Sequence, residues 1–214
     1  QHLSLATHCA PYTQAFRNSD YAILTDVDEF IQINCADGTL NGLLATAGYP
    51  DVISLSELVY GFNGIETYEN RLVTAQFRAS DTLNPAKNGP RRGVKSMTRI
   101  HRGVQSYSNH RPQIKPEALD ATSWVDGAGA QAPRDFITDG KRGLHPERRY
   151  ALGRVNHYTL RSGESMLVKF ERGDAVRPGR MREKYFHDRN GNDIQNEGIA
   201  PHLDRLKSEL TKLL

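Results

Sequence analysis

An α/β fold is predicted by the first 60 residues, from two observations. The apolar runs at residues 21–25 and 51–60 read as buried strands, and the segment between them has helical spacing. Strand, helix and strand in that order and at that distance form an α/β unit.

Taken in order, residues 3–17 have helical character interrupted by Pro11. Residues 21–25, "YAILT", form the first expected strand, which runs straight into "DVDEF". Residues 37–47 predict a short helix, with Leu40, Leu43, Leu44 and Ala47 on one face and Gly48 as its stop. Residues 51–60 give the next strand, and "YGFNG" is a turn. Strands are expected at 71–78 and 93–100, and a long loop at 117–147, rich in Gly, Ala, Pro and Asp. A strand follows over 153–160. A helix then begins at the N-cap Ser162 and ends at Gly173. The tail, 199–214, is an amphipathic helix with Leu203, Leu206, Leu210 and Leu213 as its stripe and Pro201 in its first turn. Its stripe is expected to pack. The 214 residues are expected to form one domain.

The composition, 37% hydrophobic and 25% charged, is that of a globular chain. No apolar run approaches the roughly 18 residues of a membrane span, and no basic start leads into a signal-like apolar core. Cys9 and Cys35 make no disulfide framework, which favours a reducing, cytoplasmic compartment. The net charge is +3, but its distribution says more. Residues 82–116 hold no acid, while Lys87, Arg91, Arg92, Lys95, Arg99, Arg102, Arg111 and Lys115 fall within them. This fits a phosphorylated ligand, nucleic acid or a solvated basic face.

The chemistry concentrates at "DVDEF". Asp26, Asp28 and Glu29 repel one another and cost free energy to desolvate, so the cluster meets either water or a positive group. On a strand, Asp26 and Asp28 share one face, with Val27 on the other. The end of a strand in an open α/β sheet is where ligands bind. Two carboxylates there suit Mg²⁺ or Mn²⁺, hard cations that share oxygen ligands with phosphates.

Five segments in order carry a resemblance: "YAILTDVDEFI", "YGFNG", "VKSMTRI", "SNHRP" and "RVNHYTLRSGESMLVKFERG", over roughly residues 15–175. Together the set resembles the glycosyltransferase family 2-like proteins of the GT-A fold. The resemblance implies a mixed sheet flanked by helices. It also implies transfer of a sugar, with inversion, from a UDP- or GDP-sugar donor to a glycan or other hydroxyl acceptor. Asp26 and Asp28 would hold Mn²⁺ or Mg²⁺ on the donor diphosphate, with His157 as a later metal or diphosphate contact. Lys95, His110, Lys169 and Arg172 match positions that line the donor site. An inverting displacement needs a general base. Asp126, after the lone Trp124, is the candidate, and Trp124 itself is either packed or stacked on a sugar. The family's role implies polysaccharide or surface-glycan synthesis at the cytoplasmic face of a membrane, with peripheral association. Such enzymes carry a nucleotide-binding segment before the acidic motif. Only 25 residues precede Asp26, so an N-terminal truncation is expected.

Other classes have less in their favour. A non-catalytic glycan- or partner-binding module would not need both the acidic pair and "NHY". A phosphotransferase or nucleotidyltransferase lacks support from any GxxxxGK loop. Nucleic acid is not an expected partner, because Tyr107 is the only aromatic in the basic stretch. "DRNGNDIQNEG" places its Gly at the fourth position, not the sixth of a calcium loop.

Overall fold

A computed structural model of the chain describes residues 12–83, 92–138, 149–173, 183–199 and 202–212. The chain divides into two compact units. Unit 1 comprises residues 1–57 and 84–155, and unit 2 residues 58–83 and 156–214.

Unit 1 is built on a six-stranded sheet. Its strands are β1 (Tyr21–Ala22), β2 (Glu29–Ile33), β3 (Val52–Val59), β5 (Val94–Arg99), β8 (Trp124–Asp126) and β9 (Gly153–His157), while β4 (Ala79–Ser80) belongs to unit 2. The order is β1-β5-β3-β9-β2, and β8 also pairs with β3. β1 and β3 each run antiparallel to β5, while β8 runs parallel to β3. The sheet is therefore mixed, as an α/β fold allows. The final residues of β3 and β9 pass into unit 2. β6 (Val104–Ser106) and β7 (Gln113–Ile114) form a small antiparallel pair beside the sheet residues of unit 1 in sequence.

Alternation along β3 and β5 divides the core in two. Ile53, Leu55 and Met97 pack with Leu43 and Leu44 of the helix Leu40–Thr46. Val52 and Val94, one residue out of phase, pack with Trp124, Ala132 and Phe136. The helix Leu40–Thr46 forms where its sequence expects it. Thr39 caps it by accepting from the Gly42 amide at 3.0 Å. Gly48, at φ +76°, takes the left-handed turn that follows.

Two expectations are corrected in unit 1. The strand at 21–25 shrinks to Tyr21–Ala22, and the chain continues without strand pairing to a turn at Val27 and Asp28. Asp26 and Asp28 are thus turn neighbours and not strand-face partners. The long loop at 117–147 contains a 3₁₀ turn (Pro116–Ala121), β8 and the helix Arg134–Thr138. Residues 139–148 of that segment lie outside the described residues. β8 is set by its pairing with β3, where Val52 meets Trp124, a relation that no local pattern announces.

In unit 2, β4 (Ala79–Ser80) pairs with β10 (Ile194–Gln195). The helix Gly163–Arg172 has Ser162 as its N-cap, accepting from the Ser165 amide, and Gly173 as its stop at φ +74°. The expected strand at 71–78 is a correction: Val73–Gln76 is a helical turn, and only Ala79–Ser80 finds a strand partner. Gln76 closes that turn by donating its side-chain amide to the Glu69 and Arg71 carbonyls at 3.3 and 2.9 Å. The "YGFNG" loop is held by the calcium-loop-like segment. Asn190 and Asn192 accept from the Phe62 and Asn63 amides through their side-chain oxygens. The tail helix, Leu203–Thr211, buries Leu203 and exposes Leu210. Pro201 and Leu213 lie outside the described residues, as do residues 1–11, where Pro11 was expected to break a helix.

Candidate functional site: the acidic turn

Two of the three clustered carboxylates, Asp26 and Glu29, meet a positive group, Lys95. Glu29 opens β2 and shares the inward face with Ile31 and Ile33, both packed on the core. Lys95 lies on β5 opposite Leu55, on the inward face that Met97 also uses. Its side chain is 0% exposed, and its ammonium sits 2.8 Å from Glu29 Oε2 and 3.0 Å from Asp26 Oδ2. The third acceptor is Asn109 Oδ1. Three N–H donors thus meet three oxygens, so the ammonium is fully satisfied without water. Glu29 Oε2 also accepts from the Asp26 amide at 2.8 Å, and the Glu29 amide donates to the Asp26 carbonyl at 3.1 Å. The turn is therefore closed by backbone and side chain together.

The outer side of the turn is open. Val27 is 98% exposed at its apex, and the Asp26 side chain is 38% exposed even though Oδ2 is bound inside. Asp28 is half-buried beside it. A second buried acid, Glu57, brings a carboxylate oxygen within 4.8 Å of Glu29's. Gly93 leaves room for it, since a Cβ there would lie 2.5 Å from Glu57 Oε1. Both carboxylates offer hard oxygen donors.

The structure sorts the other predicted residues. Lys95 is a correction: a fully buried ammonium paired with two carboxylates does not reach a diphosphate. His110 is anchored, with its carbonyl accepting from Ser96 Oγ at 2.7 Å. Its Nδ1 lies 3.1 Å from the Val94 carbonyl, which can only accept, so Nδ1 carries a proton. Asp126 is buried, and its Oδ1 accepts from the Ala128 and Ala130 amides at 2.9 and 3.1 Å. Arg149 lies 3.5 Å from its other oxygen. Oδ1 of Asp126 thus holds the loop after β8. Trp124 is 1% exposed, edge-on to Phe136, and donates to Ser54 Oγ at 2.8 Å, so it packs and offers no face to a sugar.

Three candidates belong to unit 2. His157 ends β9, half-buried, with its carbonyl accepting from the Tyr60 amide at 3.0 Å. Lys169 turns inward: its ammonium donates to Thr159 O and Oγ1 at 2.8 and 3.0 Å, and it lies 5.7 Å from the centre of the Tyr185 ring. Arg172 is exposed in the last helical turn, where a cation complements the helix dipole. The two are therefore not a common phosphate-facing pair.

The basic stretch is also partly structural. Arg92 is buried, Arg99 pairs with Asp51 at 3.3 Å, and Arg111 caps the helix Arg134–Thr138 through the Phe136 and Ile137 carbonyls. Lys87 and Arg91 lie outside the described residues. Sequence reasoning placed Glu29 in the acidic cluster but not as the partner of Lys95, and it missed Asn109. The period-two pattern Glu29, Ile31, Ile33 was the available signal for the first, while Asn109 had none. Among the described residues, no helix is long and apolar enough to cross a membrane.

Compared with known proteins, the chain matches no protein-family model and no curated protein.

Proposed function

We propose that this chain is a GT-A-like, metal-dependent glycosyltransferase domain that moves a sugar from a nucleotide-sugar donor to an acceptor hydroxyl with inversion. The observation that carries this reading is the acidic turn. Two of its carboxylates, Asp26 and Glu29, are clamped from inside by Lys95, and its apex is open to solvent. Such a turn is built to receive positive charge from outside while its own repulsion is already relieved. The ordered motifs from "DVDEF" to "KFERG" supply the reaction class, by resemblance.

Departure of the sugar leaves negative charge on a diphosphate oxygen. Asp26 and Asp28 would hold Mn²⁺ or Mg²⁺, which would supply Lewis-acid stabilisation of that charge. Asp26 and Glu29 keep the turn in place through Lys95, so its carboxylates need no reorganisation as charge develops. The role fits assembly of polysaccharide or surface glycan at the cytoplasmic face of a membrane.

Calorimetric titration with UDP, GDP and their sugar conjugates, with and without Mn²⁺, tests this reading. Expected is Mn²⁺-dependent binding that Asp28→Ala abolishes. Binding that ignores both Mn²⁺ and the substitution, or no binding at all, refutes the donor site in this chain.

A further inference from the structure

We propose that the outward face of the helix Gly163–Arg172 is a self-complementary docking surface for a second copy of this chain. It concerns unit 2 alone and is independent of the reaction proposed above.

Exposure along this helix follows its period. Met166, Lys169 and Phe170 are half-buried, while Glu164, Leu167, Val168 and Glu171 are exposed. The four exposed residues recur at i, i+3, i+4 and i+7, so they make one stripe. Its middle is apolar: Leu167 is 58% and Val168 65% exposed. Tyr68, 61% exposed, joins them around an open cavity of about 540 Å³ that Arg161 also lines. The wall of this cavity is built. The Gly163 and Glu164 amides donate to the Ile65 and Glu66 carbonyls at 2.9 Å, and the Tyr68 amide donates to Glu164 Oε2 at 2.7 Å. Three large apolar side chains held together in water mark an interaction surface.

Charge decides the occupant. Each end of the stripe carries one acid and one arginine, Arg161 with Glu164 at the start and Glu171 with Arg172 at the close, all exposed. The ion pairs among the described residues involve none of these four. An anionic lipid surface or a nucleic acid would set its own negative charge against Glu164 and Glu171. A second copy brings two arginines to them. Laid antiparallel, the two helices have opposed dipoles, which is the favourable sense. With the two-fold axis at Leu167, Arg161 comes within two residues of facing the partner's Glu171, about 3 Å of helix rise, and Arg172 comes equally near the partner's Glu164. The glutamates of the two copies approach as well, so it is the arginines that make the contact favourable. One patch thereby serves both copies, as a closed two-fold dimer requires. A helix of ten residues is about 15 Å long, so the contact is small and belongs to the weak, exchanging class of interface.

The experiment is sedimentation equilibrium of the full chain, from micromolar to near-millimolar concentration, with urea midpoints measured alongside to show that each variant folds. A monomer–dimer equilibrium is expected, and Leu167→Asp or Val168→Asp should abolish it. Arg161→Glu with Arg172→Glu makes the stripe wholly acidic, and Glu171→Arg makes it mostly basic, so each should self-associate less than the unsubstituted chain. Mixed, these two should pair roughly ten-fold more tightly than either does with itself. A chain that stays monomeric throughout overturns the proposal. So does a dimer that survives Leu167→Asp and Val168→Asp, or a mixture that pairs no better than its components. A monomer that binds phosphatidylcholine vesicles, and loses them on Leu167→Asp, overturns it in favour of a lipid surface.

Discussion

Replacing Lys95 with Met keeps the length of the side chain and removes its charge. The ammonium lies 2.8 Å from Glu29 and 3.0 Å from Asp26. At an effective dielectric of about 20, the nearer contact alone is worth roughly 6 kcal/mol of attraction. Desolvating the ammonium offsets several kcal/mol of it, so the pair as a whole contributes little net. Removing one partner is a different matter, because the Glu29 side chain is only 1% exposed and loses its buried counter-ion. Asp26, 38% exposed, can return to water and adds less. The expected loss is therefore about 3–5 kcal/mol, the range for breaking a buried pair from one side. Urea unfolding followed by Trp124 fluorescence reads it, because the lone tryptophan is buried in the same unit. Lys95→Met combined with Glu29→Gln should recover at least half of the loss, since the stranded charge is gone. A single variant within about 1 kcal/mol of the unsubstituted chain, or a double variant no better than the single, would refute the account of the turn; the 1 kcal/mol threshold is the scale of an exposed pair.

Asp126→Ala strips the acceptor from the Ala128 and Ala130 amides and should cost about 2–4 kcal/mol in urea unfolding, while Asp126→Asn, which keeps an oxygen there, should cost about 1 kcal/mol. Burial raises Tyr21 above its ordinary value of 10.0, with Arg99 opposing the shift. It also raises Tyr107, against a backbone hydrogen bond from His101. For both, the folded state holds the proton more tightly than the unfolded chain, so the contribution is full below about pH 10 and is lost as pH rises beyond it. Thermal melts from pH 8 to 11 should fall on the alkaline side, and Tyr21→Phe, whose ring cannot ionise, should flatten part of that fall.

Several elements were legible in the sequence for a local reason. Val52–Val59, Val94–Arg99 and Gly163–Arg172 appear where their runs and caps put them, because a buried strand needs only its own apolar residues and a helix its own N-cap and glycine stop. The turn at Asp26–Glu29 was visible as a charge problem, and the need for a positive group followed from electrostatics alone. Local pattern failed where a distant partner decides. Residues 71–78 are apolar enough for a strand, yet backbone pairing reaches only Ala79–Ser80. Trp124–Asp126 reads as loop until β3 offers it an edge.

The sequence by itself determined the α/β character, the main strands and helices of both units, and the acidic motif that must be neutralised. Only the tertiary structure decided what neutralises it. Lys95 sits 69 residues beyond Asp26 and Asn109 another 14 beyond Lys95, so nothing in the spacing of the chain shows that they meet. The physical reason is that a charge in a run of sequence has no fixed environment. Lys95 could as well have faced solvent or a phosphate, and it became the turn's internal counter-ion only when the pairing of β5 with β3 turned it onto the face that β2 closes with Glu29.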